Sequence, residues 1–327
     1  MKRAIITGVG GQDGWYLAKL LLGNGYHVLG LSRNVSKVEI PVGVSKSNHL
    51  ELLNWNPCES VGLKKIVDEF SPSEIYNLAA LSSGDGMFEN PVDMAEVNGI
   101  AVTRWLEVLR LGSPATRFLQ ASSREVFGNA ECSPQNEYTV RAPRSPYGAA
   151  KLYADNIVKI YRENYGLFCA SAILYNHDSP RRGPEFVTGK VARAAAEISR
   201  GIGDVVHLGS LDSRRDWGYA GDFVEAMYLM LQCEAAEDLV ISTGVVHTVR
   251  ELCEIAFSFV GLDYRLHVVE SAAMVRGQES VELRGDSKRA KRVLGWSSTV
   301  GFEQVIQMMV EDEIKAIESS SENRKLD

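Results

Sequence analysis

Apolar residues fall in short runs separated by amphipathic stretches along most of this chain. Ala4-Ile5-Ile6 is a compact apolar run. Glycines follow it, then a helical pattern over residues 14–22 that stops at Gly23-Asn24-Gly25. The alternation continues through expected strands at 26–31, 74–78 and 116–120 and expected helices at 61–70 and 94–111. Strands alternating with helices of this length predict an α/β fold, a doubly wound parallel sheet of Rossmann-like type with helices on both faces.

Beyond a helix carrying Tyr147 and a strand at 168–174, the regular alternation loosens over 176–184, as it would where chain enters a second lobe. Helices are then expected at 187–200, 222–232, 249–260, 288–294 and 302–317, with strands at 205–208, 239–242 and 265–269. Some of these should return to complete the sheet. The division expected is a dinucleotide-binding domain over 1–175, completed by later segments, a smaller interleaved lobe over 176–318, and a disordered tail over 319–327. No internal repeat or low-complexity segment interrupts this pattern.

Composition narrows the functional classes. With 327 residues the chain exceeds what one core comfortably organises, which suits two lobes sharing a cleft. A formal net charge of −7 opposes non-specific attachment to nucleic acid or to a membrane surface, since both need a basic field. No apolar stretch approaches the ~18–20 residues that span a bilayer, and the first apolar run reads as a strand rather than a signal segment. Cys58, Cys132, Cys169, Cys233 and Cys253 are scattered, odd in number and never in a C-x-x-C arrangement, which suits a reducing cytoplasm and no metal.

The first candidate site lies where the first strand meets the first helix. Gly8, Gly11 and Gly14 frame Gln12 and Asp13 there. Glycine lets backbone turn tightly and approach a diphosphate, whose charge is met by free N–H groups at the helix start. After the second strand, where an acid would bind a ribose 2′-hydroxyl, the chain has Arg33. An arginine there can clamp a 2′-phosphate, which favours NADP over NAD.

The second candidate site is a Tyr-x-x-x-Lys pair, Tyr147 and Lys151. Four residues apart on a helix, the two share a face, so the ammonium is expected to lower the tyrosine's pKa and ready it as a base. Residues 118–121 should form an inner strand that delivers Ser123 and Glu125 to the same cleft. Ser123 can hydrogen-bond a substrate hydroxyl and the tyrosine, and Lys151 can also reach a cofactor ribose. Glu125 discriminates among reactions. Alcohol oxidation needs a phenol, a lysine and a hydroxyl, whereas an added carboxylate suggests that a C–H proton is also removed. Glu125 could otherwise serve as partner to Arg124 or as a solvated loop acid.

These segments resemble the GDP-mannose 4,6-dehydratase branch of the extended short-chain dehydrogenase/reductase family. The resemblance is carried by Thr7-Gly-Val-Gly-Gly-Gln-Asp-Gly14, Tyr76-Asn-Leu-Ala-Ala80, Pro143-Arg-Ser-Pro-Tyr-Gly-Ala-Ala-Lys151, Asn176-His-Asp-Ser-Pro-Arg-Arg-Gly183, Arg215-Asp-Trp-Gly218 and Leu294-Gly-Trp296. It implies that Ser123, Glu125, Tyr147 and Lys151 are catalytic and that Leu78, Ala79 and Ala80 line the cofactor. It further implies that Asn176, Lys190, Arg215, Arg276 and Glu279 hold the GDP portion of a sugar nucleotide, in a protein that forms homodimers or homotetramers. The implied reaction is conversion of GDP-mannose to its 4-keto-6-deoxy form. A 4-epimerase or 4-keto reductase for a GDP-hexose or GDP-heptose, and a non-catalytic nucleotide sensor on the same fold, are the alternatives. The chain departs from the family pattern at Leu53-Asn54-Trp55-Asn56, beside the expected adenine pocket, and at Asn34, Arg124, Gly189 and residues 81–85.

Overall fold

A computed structural model describes residues 1–41, 49–59, 62–82, 88, 90–271 and 281–323. Among them, the strands are β1 (Arg3–Thr7), β2 (His27–Ser32), β3 (Leu50–Asn54), β4 (Glu74–Asn77), β5 (Arg117–Ala121), β6 (Cys169–Leu174), β7 (Asn176–Asp178), β8 (Val206–Leu208), β9 (Arg214–Tyr219), β10 (Leu239–Ile241), β11 (Val246–Thr248) and β12 (Val268–Glu270). The helices are α1 (Gln12–Gly23), α2 (Leu63–Phe70), α3 (Pro91–Ala95), α4 (Ala101–Gly112), α5 (Pro146–Tyr165), α6 (Val187–Ser199), α7 (Ala220–Met230), α8 (Val249–Phe259), α9 (Lys288–Leu294) and α10 (Phe302–Asn323). Seven strands form one parallel sheet in the order β10-β6-β5-β4-β1-β2-β3. The sequence order reverses beside β1, between β2 and β4, and in such sheets ligands lie beyond the strands' C-terminal ends at that point.

Alternating residues of β1 explain why both faces of the sheet are covered. Ala4 and Ile6 pack with α1 and α7 through Leu17, Leu21, Phe223 and Met227. Ile5 faces the other way, into Val67, Trp105, Leu106 and Val158 of α2, α4 and α5. Each large apolar side chain buried in this way contributes about 1.5–3 kcal/mol. A third core unites α6, α8 and α10 around Val191, Leu252, Phe257 and Ile306. Two smaller sheets, β11-β9-β7 and β12-β8, complete the structure.

A buried polar row locks the sheet edge on which the site is built. In register across β1, β4 and β5 lie Thr7, Asn77 and Gln120. Thr7 Oγ1 donates to Asn77 Oδ1 at 2.8 Å, and Asn77 Nδ2 donates to Gln120 Oε1 at 2.7 Å. Thr7 Oγ1 also accepts from the Ala79 N–H at 3.0 Å, fixing the chain as it leaves β4.

Several elements differ from the sequence expectation. The helix expected over 94–111 runs from Pro91 to Gly112 with a π segment, Glu96–Ile100, inside it. Gly99 lies there so close to α5 that a Cβ would meet Tyr153 Cδ1 at 3.1 Å. Asn98 in the same turn accepts from Leu81 N at 3.0 Å and donates to Leu81 O at 3.2 Å. The strand expected at 265–269 begins as a 3-10 turn, Tyr264–Leu266, capped by Asp263, so only its end pairs as β12. Helix α10 runs on through Asn323, past the start of the expected tail.

Candidate active site

Helix α1 starts at Gly11 without a side-chain cap, which leaves first-turn N–H groups facing the end of β1. Gly8 has φ +71°, and a Cβ on it would lie 2.9 Å from the Ala79 nitrogen. A Cβ on Gly14 would lie 2.4 Å from the Gly8 carbonyl oxygen. The loop is thus drawn into a cradle that side chains at 8 or 14 would fill, as a diphosphate site requires. Arg33 stands with Asn54, Trp55, Asn56 and Lys65 around a cavity of about 690 Å³ beyond β2 and β3. Asn54 Oδ1 accepts from Val35 N at 3.0 Å, so this departure from the family pattern ties down the turn that follows Arg33. The residues present fit a dinucleotide.

Gln12 and Asp13 turn away from that cradle and grip the segment beyond β6. Gln12 donates to the His177 carbonyl at 3.0 Å and accepts from Ser179 Oγ at 2.9 Å. His177 Nε2 lies 2.9 Å from Asp13 Oδ2, and Nδ1 lies 2.7 Å from the Tyr175 carbonyl. Both ring nitrogens face acceptors, an arrangement that a doubly protonated ring satisfies in full. Burial opposes the charge on that ring most strongly, but Asp13 and the Tyr175 carbonyl together outweigh it and raise the His177 pKa. Burial likewise opposes the Asp13 anion, and His177, with help from Gln12 and Arg182, brings its pKa below the ordinary value.

This latch explains why two motifs whose contacts join residues 164 to 167 apart occur together, and it has a pH signature. The Asp13 contribution is present above an ordinary carboxyl pKa and is lost as pH falls through its depressed value. The His177 contribution is present below an ordinary imidazole pKa and is lost as pH rises through its raised value. Asp13→Asn is expected to cost about 3 kcal/mol between those limits, with a smaller difference from wild type on either side. Thermal melts of both proteins from about pH 4 to about pH 9 check this. A melting difference flat with pH would refute the ion-pair latch.

The side chains expected to be catalytic come from the turn after β5 and from α5. Ser123 caps the 3-10 turn Arg124–Val126, accepting from the Glu125 N–H at 3.2 Å. Ser145 caps α5, with Pro146 in its first turn, which fixes where Tyr147 emerges. A Cβ on Gly148 would lie 2.6 Å from the Glu125 carbonyl oxygen, so that glycine lets the two elements touch. Ser123 hydrogen-bonds the Tyr147 hydroxyl, and Glu125 is near enough to act on it electrostatically. Lys151 Nζ donates to the Ala121 carbonyl at 2.7 Å and lies 5.7 Å from the Tyr147 ring centroid.

The electrostatics correct one expectation. Burial pushes the Tyr147 phenol up to about 12, and Glu125 adds to the rise; Ser123 and Arg182 pull the other way without prevailing. Lys151, itself buried, is drawn down to about 8, held against further loss by Asp155. Its ammonium sits beneath the ring on a backbone carbonyl, so it does not by itself ready the phenol. Ionisation of Tyr147 needs a further positive partner. Asp155, missed in the sequence, lies one turn beyond Lys151, accepts from Ser122 Oγ at 2.7 Å and meets Arg141 at 3.3 Å. Burial raises its pKa to about 6.

The family model described as GDP-mannose 4,6 dehydratase matches residues 5–309. The chain belongs to the GDP-mannose 4,6-dehydratase family. It is 42% identical to GDP-mannose 4,6 dehydratase 2 of Arabidopsis thaliana, an alignment covering 96% of this chain and 87% of the relative. It is 39% identical to the human GDP-mannose 4,6 dehydratase, covering 97% and 92% of the two chains. Among solved structures, dTDP-glucose 4,6-dehydratase from Bacillus anthracis in complex with NAD superposes with a TM-score of 0.85 at 20% identity, over 97% of this chain and 98% of that one. The Pseudomonas aeruginosa RMD structure complexed with NADPH gives 0.81 at 22% identity, over 97% and 100%. Those structural likenesses establish the fold.

Within this GDP-mannose 4,6-dehydratase scaffold, the residues carried over by resemblance distribute unevenly. Asn176, at the start of β7, accepts from Arg124 Nε at 2.9 Å and so stands beside the turn that carries Ser123 and Glu125. Lys190 donates to the His207 carbonyl at 2.7 Å and Arg215 to the Arg214 carbonyl at 2.6 Å, so both cations rest on backbone of the smaller sheets. Arg276 and Glu279 lie outside the described residues. Gly189 has a steric reason: a Cβ there would lie 2.3 Å from the Gly183 carbonyl oxygen, so the family's basic side chain cannot be placed without moving that loop.

Proposed function

We propose that this chain is a GDP-mannose 4,6-dehydratase, a hydro-lyase that forms GDP-4-keto-6-deoxymannose by internal redox and loss of water. The observation that carries the reading is the Glu125 carboxylate beside the Ser123–Tyr147 hydrogen bond, because an epimerase or simple reductase has no use for a second base there. The cradle of Gly8, Gly11 and Gly14 would hold the diphosphate of a dinucleotide, with Leu78, Ala79 and Ala80 beside it. When bound, a nicotinamide dinucleotide supplies a place to lodge one hydride and a positive ring charge.

The remaining chemistry belongs to side chains of this protein. Ser123 Oγ orients the sugar O4 toward the phenol. Tyr147 Oη, acting as the phenolate, receives the O4 proton as C4 is oxidised, and the 4-ketone so formed acidifies the C5 proton. Glu125 takes that proton, the C5–H electron pair forms a C5–C6 double bond, and the C6–O pair leaves. Arginine does not give up its proton, so Arg124 cannot serve as the acid. Glu125 therefore passes its proton to the departing hydroxyl, which leaves as water. Tyr147 returns its proton at C5 as the borrowed hydride is repaid at C6, and both groups end as they began. Asn176, Lys190, Arg215, Arg276 and Glu279 are assigned to the GDP portion by resemblance to the family.

The test is incubation of the purified chain with GDP-mannose in deuterium oxide. The expected product is the 4-keto-6-deoxy sugar nucleotide with one deuterium at C5. A C4 epimer without C5 label would replace this reading with an epimerase, and continuous consumption of reduced cofactor would replace it with a reductase.

NADP, rather than NAD, is the cofactor proposed, supported by Arg33 on the cavity wall, where Lys65 is instead paired with Glu69 at 3.7 Å. Arg33→Ala is expected to weaken NADP about tenfold or more while leaving NAD nearly unchanged, read by fluorescence titration. Equal losses for both dinucleotides would remove the preference. An acidic chain with scattered cysteines and a sugar-nucleotide substrate fits a cytoplasmic homodimer or homotetramer.

A further inference from the structure

Arg124 occupies a position in the catalytic strip where the resemblance leads one to expect a small hydroxyl side chain. A guanidinium beside a reacting carboxylate needs a reason, because burying charge is costly unless every partner is well placed. The side chain is buried, with 8% of its surface exposed, and the Glu125 side chain it meets is 11% exposed. One guanidinium serves two groups that the proposed function assigns to the substrate. Nη2 lies 3.0 Å from Glu125 Oε1, and Nε donates to Asn176 Oδ1 at 2.9 Å.

Each contact fixes something that would otherwise rotate. A carboxylate is free to turn about its terminal torsion, but a charge-assisted bond from one side selects which oxygen faces the cleft. Asn176 has an oxygen and an NH2 of similar size, and donation to its oxygen turns the NH2 away from Arg124 as a donor. The backbone at both ends is already set, by the Gly148–Glu125 approach and by pairing of Asn176 with Trp217 in β7 and β9. Only the side-chain torsions remain to be held, and a planar fork with several donors can hold both where a lysine or a hydroxyl could not.

We propose that Arg124 is a positioning residue that sets the proton-taking oxygen of Glu125 and the donating NH2 of Asn176 with one guanidinium, coupling the elimination step to binding of the sugar nucleotide. This rests on the dehydratase reading for its kinetic half and on geometry alone for its binding half. Arg124→Ser restores a small hydroxyl, and Arg124→Lys keeps charge with a single point of contact.

The experiment measures turnover of GDP-mannose, and calorimetric affinity for GDP-mannose, on cofactor-loaded full-length wild type, Arg124→Ser, Arg124→Lys, Asn176→Ala and the Arg124→Ser/Asn176→Ala double variant. In Arg124→Ser, kcat is expected to fall about tenfold to a hundredfold, as misplacement of a reacting group does, and affinity to fall about tenfold. Asn176→Ala should weaken binding similarly, and the double variant should bind no worse than the weaker single variant, because both remove the same orientation. Arg124→Lys should recover kcat or affinity in part, but not both. A merely structural arginine would lower thermal stability while leaving kcat and affinity per folded molecule unchanged, and that result overturns the proposal. Additive affinity losses in the double variant overturn it too. Should wild type yield no 4-keto product, the dehydratase reading falls, and the binding cycle still decides whether Arg124 orients Asn176.

Discussion

Glu125→Gln is expected to slow formation of the 4-keto-6-deoxy sugar by about two to four orders of magnitude, the range that a positioned proton-transfer group supplies. Glutamine keeps the shape and can still accept from Arg124, but it cannot take the C5 proton or return one to the leaving hydroxyl. Ser123, Tyr147 and Lys151 are untouched by the change, so C4 oxidation should continue. Reduced cofactor should therefore accumulate on the variant when GDP-mannose is added, visible as reduced-nicotinamide absorbance that does not decay. Affinity for GDP-mannose should stay within a few-fold of wild type, measured in the same preparation. A variant that still makes the 4-keto-6-deoxy product within tenfold of the wild-type rate would transfer the C5 step to another group and remove the main support for the dehydratase reading.

The two halves of that site were not equally legible in the sequence. The parallel sheet was, because β1, β2, β4, β5 and β6 are short, largely buried runs with apolar centres, even where β4 and β5 carry polar residues at their ends. The sheet of β11, β9 and β7 was not. Asn176-His177-Asp178 and Arg214 to Asp216 have no strand-like pattern of their own, and they extend because tertiary partners supply the pairing. The π turn at Glu96–Ile100 was hidden for a related reason, since the approach of Gly99 to Tyr153 is a property of two helices and not of one.

The residues proposed as catalytic were legible by type and misjudged by environment. Spacing placed Tyr147 and Lys151 on one face, and both are indeed on α5. What spacing could not reveal is that burial would dominate both titrations, raising the phenol and lowering the ammonium. The pairing of Glu125 with Arg124 could be suspected from adjacency, whereas the bridge onward to Asn176 joins residues 52 apart and needed coordinates. Gln12 and Asp13 are expected at the cofactor loop, and their side chains also form the latch to His177 and Ser179, which their place in the glycine turn does not reveal.

Lys151→Met should abolish turnover, by at least about a thousandfold, while leaving the fold intact or firmer. Two opposite pH trends follow from the same buried ammonium. Its pKa of about 8 lies below that of a free lysine, so the unfolded chain binds the proton more readily and stability rises as pH goes from about 8 toward about 10.4. Activity must run the other way. The charge beneath the Tyr147 ring is present below about 8 and lost above it, so wild-type kcat should decline on that alkaline limb. Lys151→Met removes a charge held at a cost of about 2–4 kcal/mol and is expected to melt higher than wild type at neutral pH, provided the methionine fills the same space. Asp155→Asn separates the charge effect from the shape effect. Asp155 raises the Lys151 pKa, so its loss should carry the alkaline limb of kcat below about 8 with the side chain's volume unchanged. Turnover of Lys151→Met, pH–rate profiles of wild type and Asp155→Asn, and melts of wild type and Lys151→Met across the same pH range measure these effects. A limb that stays in place in Asp155→Asn would mean that some group other than Lys151 sets it.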